Sequence, residues 1–201
     1  MSTSQPALIL ASASPRRSEL LRGLGLTFRV LPANTDEIQP PHLSPSEICQ
    51  INALRKARHL AREHPQDWIL GADTLVFLGS RIFGKPASRS EAHQMLRDLQ
   101  GRQHHVITGV CLIQEHLHHT HLFAEITHVQ FRTLTEAQIE SYHQQVNPLD
   151  KAGAYAIQEH GDQIVEAFTG SLSNVIGLPV ERLKQQWLQL PGWAEFWSAL
   201  P

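Results

Sequence analysis

Leu8-Ile-Leu-Ala-Ser-Ala-Ser-Pro-Arg-Arg-Ser-Glu-Leu-Leu21 passes from a buried strand straight into a helix with a basic first turn. The apolar run Ala7 to Leu10 has no polar face, so it needs cover on both sides, as a strand inside an α/β sheet has. Ser12, Ala13 and Ser14 are small enough for a sharp turn, Pro15 suits the first helical position, and Ser14 is the natural N-cap. Unpaired N–H groups at this helix start, with Arg16 and Arg17 beside them, concentrate positive charge at a strand end. Two arginines there oppose the helix dipole, which suits an anion cradle. A solvated turn with two surface arginines is the plainer reading of the same residues.

Outward from that stretch, composition sets limits. With 201 residues and 41% hydrophobic content, a single domain over residues 1–201 is expected. A net charge of −2 supplies no overall basic field for long nucleic acids, so any phosphate binding must come from a local cluster. Cys49 and Cys111 stand alone in apolar contexts, as buried free thiols in a reducing compartment do. No apolar run approaches the roughly 20 residues of a membrane span, and Met1 to Pro6 carries no basic leader. The expectation is a soluble, cytoplasmic protein with no membrane partner. Four lysines stand against thirteen arginines, and Lys56, Lys85 and Lys151 fall in or beside the most motif-like stretches.

Along the chain, helical spacing covers Arg16 to Leu24 with Gly25 as a stop, and Leu26 to Leu31 alternates as a strand ended by Pro32. Asn34-Thr-Asp-Glu37 is a polar loop with adjacent carboxylates, ordinarily a turn. Ser44-Pro45-Ser46-Glu47 opens a long helix whose buried stripe is Ile48, Ile51, Leu54, Ala57, Leu60 and Ala61. Lys56 lies a turn from Asn52, next to that stripe, although basic residues on helices are commonly just solvated.

Trp68-Ile-Leu-Gly-Ala-Asp73-Thr74-Leu-Val-Phe-Leu78 reads as an apolar strand pair interrupted by an acid. A buried aspartate is costly unless paired or bound to metal. Gly71 and Ala72 leave room for a ligand, and a hairpin at Gly79-Ser80 would bring Lys85 back alongside Asp73. A structural Asp73–Lys85 salt bridge is the bland alternative to a functional carboxylate. Arg89 to Leu99 is a helix capped by Ser88 and stopped at Gly101, followed by strands His105 to Ile113 and Leu122 to Phe131. The four histidines in Glu115-His-Leu-His-His-Thr-His121 read as an exposed hairpin tip rather than a metal site. Thr135-Glu-Ala-Gln138 is a capping box for a helix to about Val146. Asp150 to Gln158 reads as a tightly packed loop, Gln163 to Phe168 as a strand and Val180 to Leu190 as a closing helix. Trp187 to Pro201 holds three of the four tryptophans and is expected to pack on the body or on a second subunit.

Cations at Arg16, Arg17, Lys56 and Lys85, with carboxylates at Glu37 and Asp73, suit a polyphosphate with a divalent cation. No Gly-x-x-x-x-Gly-Lys-Ser/Thr string occurs, so this is not a P-loop.

Ala11-Ser-Ala-Ser-Pro-Arg-Arg17 with Glu19-Leu-Leu21, Asp36-Glu37, Gly71-Ala-Asp-Thr74, Gly84-Lys-Pro86, His105-Val-Ile-Thr-Gly109, Asp150-Lys-Ala-Gly-Ala-Tyr155, Ile157-Gln158 and Asn174-Val-Ile-Gly-Leu-Pro179 together resemble the Maf family of nucleoside triphosphate pyrophosphatases. The resemblance runs from about Leu8 to Leu183 and leaves residues 184–201 as a Trp-rich extension. It implies a mixed central β-sheet flanked by helices with a substrate cleft, similar to inosine triphosphate pyrophosphatases. It also implies a homodimer, and hydrolysis of a nucleoside triphosphate to the monophosphate and pyrophosphate with Mg²⁺ or Mn²⁺. Asp73 takes the catalytic place and, with Glu37, the metal place. Ser12, Arg16, Arg17, Lys56, Thr74, Lys85 and Gln158 take substrate places. In the branch that prefers dTTP and UTP, Arg follows the first Pro, Thr follows the Asp and Gln follows the late Ile, as Arg16, Thr74 and Gln158 do. The branch acting on 7-methyl-GTP resembles Ser-Pro-Trp-Arg and Asp-Gln instead. Where the family usually has Gly after Ile-Gln, this chain has Glu159, a carboxylate that would reshape the loop or repel a phosphate. The rival reading is a non-catalytic nucleotide-binding regulator of septum formation, which would have no use for both Glu37 and Asp73 beside a triphosphate.

Overall fold

The computed structural model describes residues 7–190. Its centre is a seven-stranded mixed sheet. Strand β1 (Leu8–Leu10) is wholly buried and lies parallel to both β2 (Arg29–Val30) and β3 (Trp68–Leu78). The order continues antiparallel through β5 (Gln103–Gln114), β6 (His119–Phe131) and β7 (Val165–Thr169), while β4 (Arg81–Phe83) folds back on the end of β3. The mixed sheet flanked by helices is the architecture expected.

Strand β3 is continuous through Asp73, contrary to the interruption the sequence suggested; Asp73 pairs with Gly109 and Thr74 with Thr108 in an unbroken ladder to β5. What is interrupted is the opposite edge. There β1 covers Trp68 to Leu70 and β4 covers Val76 to Leu78, so residues 71–75 have no strand beside them. Asp73 and Thr74, adjacent in the strand and pointing to opposite faces, both open onto this gap.

One face of the sheet is covered by α2 (Pro45–Ala61), which starts with the expected Ser44/Glu47 capping box. Its buried side chains are Ile48, Cys49, Asn52, Ala53, Ala57, Leu60 and Ala61, so Cys49 and Ala53 stand where Ile51 and Leu54 were expected. Gly71 and Gly109 explain how close it comes. A Cβ on Gly71 would lie 2.3 Å from the Ala53 carbonyl oxygen, and one on Gly109 would lie 2.4 Å from the carbonyl of Cys49. These positions therefore admit a helix backbone, not a ligand as Gly71 had suggested.

The other face is split. At one end α1 (Pro15–Arg22) and α6 (Val180–Trp187) pack over Leu8, Leu10, Leu70 and Val110. At the other, α3 (Arg89–Leu99) and α4 (Glu136–Gln145) pack over Val76, Val106 and Val129. Ser88 and the Thr135/Gln138 box cap these two helices as their sequences foretell. The short helix α5 (Leu172–Ile176) closes the space between the two groups.

Several boundaries differ from the sequence reading. The strand expected over 26–31 is only Arg29–Val30, because β1 offers a ladder of two residues. Residues Gly161–Gln163 form a 3₁₀ turn, and β7 begins at Val165. Helix α1 ends at Arg22 and α6 at Trp187. Ser14 sits at the N-cap of α1 but its side chain makes no capping bond. Trp187 is fully buried in the core. The remainder of the expected Trp-rich packing element, residues 191–201, lies outside the described residues.

Candidate active site

The open edge of β3 and the division between the two helical groups meet in a cleft of about 900 Å³. Every residue expected at the site from the sequence lines it, from Ser12 in the first turn to Gln158 in the late loop.

On the α2 side, the Lys56 ammonium donates to Glu37 Oε1 at 2.6 Å and to Asp73 Oδ1 at 2.7 Å. The cation beside Asp73 is therefore Lys56 and not Lys85, because the Asp73 side chain faces α2. Lys85 is exposed on the cleft wall, with no hydrogen bond or ion pair among the described residues. Asn52 organises the pair and was not anticipated as a site residue. Its Nδ2 donates to Asp73 Oδ2 at 3.0 Å and to the Ile38 carbonyl at 3.1 Å, while its Oδ1 accepts from the Ile38 N–H at 2.9 Å. One buried amide thus fixes the Asp73 carboxylate and the loop that carries Glu37. Its one-turn spacing from Lys56 was the available signal.

The two carboxylates titrate in opposite directions. The Asp73 side chain is 4% exposed, and burial pushes its pKa up, with the charge of Glu37 acting in the same sense and that of Lys56 opposing. The Glu37 side chain is 43% exposed; burial works against its charge, but Lys56 outweighs it and holds the carboxyl below its ordinary value. A hard divalent ion takes such oxygen donors, one or two carboxylates with substrate phosphates and water completing its shell. The donor set at Glu37 and Asp73, already gathered around one cation, fits that requirement.

On the opposite face, Arg17 donates from Nε to the Gly177 carbonyl at 2.8 Å, from Nη1 to Ser12 Oγ at 3.0 Å and from Nη2 to Thr74 Oγ1 at 2.9 Å. All three partners are neutral. Burial lowers the guanidinium pKa, with Asp73 and Glu37 acting across the gap in the other direction; a guanidinium remains protonated under such conditions. A partly buried cation that lines a cleft and has no carboxylate in direct contact is equipped for an anionic ligand.

At the rim, Arg16 pairs with Asp150 at 2.8 Å, and Asp150 also receives Lys151 at 2.9 Å. Lys151 is buried and lies 3.4 Å from Glu159. Glu159 therefore joins the charged network of Lys151, Asp150 and Arg16 and is not among the residues that line the cleft. Gln158 next to it is exposed at the cleft, its amide unbonded to other described residues. The loop itself is anchored through Tyr155, whose hydroxyl meets His104 Nε2 at 2.8 Å.

The histidine-bearing hairpin joins β5 to β6 as expected, and no group of three or more His, Cys, Asp or Glu side chains placed to hold a metal occurs among the described residues. No helix among them is long and apolar enough to cross a membrane.

A family model described as Maf-like protein matches residues 7–189. A dTTP/UTP pyrophosphatase of Akkermansia muciniphila is 48% identical over 175 residues, covering 87% of this chain and 92% of that protein. Proteins of the same name from Pelotomaculum thermopropionicum and Halalkalibacterium halodurans are 43% and 45% identical, covering 88% and 87% of this chain and 92% and 91% of theirs. Among solved structures, a HAM1 protein from Coxiella burnetii superposes on 63% of this chain and 73% of its own, with a TM-score of 0.43 and 20% identity.

Proposed function

The chain belongs to the Maf-like protein family, and on that premise we propose that it hydrolyses dTTP and UTP to the nucleoside monophosphate and pyrophosphate. The observation that carries this reading is the pairing of opposites across one gap. The carboxylates Glu37 and Asp73 stand on one side of the open β3 edge, and Arg17, with only neutral partners, stands on the other. Relatives 42–48% identical over 175–176 aligned residues carry the name dTTP/UTP pyrophosphatase, and Arg16, Thr74 and Gln158 resemble the residue types of the pyrimidine branch.

In this reading Arg17, steadied by Ser12 and Thr74, holds the triphosphate, and Lys85 reaches it from the facing wall. Arg16 and Gln158 lie at the rim, where the base and sugar are read. Glu37 and Asp73 would hold Mg²⁺ or Mn²⁺, which when bound would supply charge neutralisation at the phosphoryl oxygens and acidify water. Asp73, its basicity raised by burial and its carboxylate aimed by Asn52, accepts the proton of the water that attacks the α-phosphorus. The bond between the α-phosphorus and the bridging oxygen breaks, and pyrophosphate leaves with the electron pair. Lys56 keeps the two carboxylates from repelling one another before substrate arrives. A homodimer and a cytoplasmic location complete the proposal; size-exclusion chromatography with light scattering tests the former.

The direct test is pyrophosphate release from a panel of nucleoside triphosphates with Mg²⁺ or Mn²⁺. Turnover highest on dTTP and UTP supports the reading. Stoichiometric binding of nucleotide with no product would replace it by the non-catalytic regulator.

A further inference from the structure

The segment His105-Val-Ile-Thr-Gly109 supplies no residue to the cleft described above except Val106, yet it crosses beneath it. Thr108 is fully buried and pairs directly with Thr74 in the β3–β5 ladder. Its hydroxyl donates to the Asn174 carbonyl at 3.2 Å and lies 3.0 Å from Thr74 Oγ1. A threonine hydroxyl carries one proton and a carbonyl only accepts, so the Asn174 carbonyl is an acceptor reserved for the Thr108 proton. With the Thr108 proton on Asn174, Thr74 is the donor between the two hydroxyls, at 3.0 Å, a shorter contact than its 3.4 Å to the Gly177 carbonyl. That leaves the lone pairs of Thr74 facing Arg17, from which it accepts at 2.9 Å.

We propose that Thr108 is a positioning residue for Arg17, acting through Thr74: the relay Arg17 to Thr74 to Thr108 to the Asn174 carbonyl sets the guanidinium where the triphosphate binds. The alternative acceptor for the Thr74 proton is the Gly177 carbonyl at 3.4 Å, which already accepts Arg17 Nε at 2.8 Å. Without the Thr108 hydroxyl, Thr74 turns toward that carbonyl and shares its two lone pairs with Arg17 Nε, so the Thr74 and Gly177 anchors of Arg17 are altered together. The role rests on the proposed function in that Arg17 is taken to hold substrate phosphate.

The test compares Thr108→Val, which keeps the shape, with Thr108→Ser, which keeps the hydroxyl, and with Thr74→Val and the double variant Thr74→Val/Thr108→Val. Circular dichroism and melting establish that each folds. Affinity for α,β-methylene-dTTP with Mg²⁺, which cannot be cleaved at the proposed bond, is measured by calorimetry, and pyrophosphate release from dTTP by kinetics. A disturbed charge-assisted contact predicts about a tenfold loss of affinity and of kcat/KM in Thr108→Val, recovery to within about twofold in Thr108→Ser, and a double variant no weaker than Thr74→Val alone. Equal losses in Thr108→Val and Thr108→Ser, or additive losses in the double variant, overturn the relay. A crystal structure of Thr108→Val with the Arg17 guanidinium unmoved would also overturn it, whether or not nucleotide binds. Wild-type protein that binds the analogue but releases no pyrophosphate sinks the pyrophosphatase reading alone, since the affinity ratios still measure the relay.

Discussion

Asp73 and Gly109 face one another across the β3–β5 ladder, and the absent side chain of Gly109 is what lets α2 come down far enough to hold the Asp73 carboxylate. A Cβ at Gly109 would meet the Cys49 carbonyl at 2.4 Å, a contact that only movement of the helix backbone relieves. Gly109→Ala should therefore lower unfolding stability by about 3 kcal/mol and impair turnover, because Asn52 and Lys56 would lift away with the helix. Urea denaturation checks the first effect; an unchanged midpoint would show that α2 tolerates the displacement.

Asp73→Asn keeps the size of the side chain and removes its capacity to take a proton. Pyrophosphate release should fall by a factor of about 10² to 10⁴, the range for loss of a general base, with the protein still folded by circular dichroism. Undiminished turnover would take Asp73 out of the mechanism.

Asn52→Leu removes three hydrogen bonds at once, two of them to the backbone of Ile38 and one to Asp73. The orphaned Ile38 groups and the loosened Asp73 predict a stability loss of about 2 to 4 kcal/mol. Glu37 would also lose its fixed place, so the Mg²⁺ concentration for half-maximal turnover should rise. An unaltered metal titration in a folded variant would argue that the Glu37 loop is held by other contacts.

Acid sensitivity should come from histidines remote from the metal-binding carboxylates. His104 is fully buried; burial, then the charge of His105, pushes its pKa down to about 3, and burial also lowers that of His143. The unfolded chain takes up these protons below its ordinary pKa near 6.5, while the folded chain refuses them. The stabilising effect of the neutral His104 is thus complete above about pH 6.5 and is lost progressively as pH falls toward about 3, with a slope of up to about 1.4 kcal/mol per pH unit for the site. Unfolding midpoints measured from pH 7 to 5 should fall, and His104→Gln, which can still bond Tyr155, should flatten the decline. A His104→Gln slope equal to wild type would assign the acid sensitivity elsewhere.

Local chemistry was legible in the sequence wherever a few adjacent residues settle the outcome. The capping residues at Ser44, Ser88 and Thr135, the hairpin at Gly79-Ser80 and the buried strand before Ser12 are as the residues foretell. The expected site residues also come together along one cleft, although Asn52 was not among them. Strand lengths were less legible: β2 is short because β1 is short, a fact that resides in a different part of the chain.

By itself, then, the sequence determined most of the strands and helices, the short helix α5 excepted, along with which charged residues sit among apolar ones and which family motifs they spell. Only the tertiary structure decided that Asp73 meets Lys56 instead of Lys85, that Gly71 and Gly109 serve a helix, and that the opening lies along the edge of β3 and not within it. Secondary structure is set by neighbours a few residues apart. The partner of a buried charge is set by strand register and by how close a helix can approach, and both depend on residues far apart in the chain.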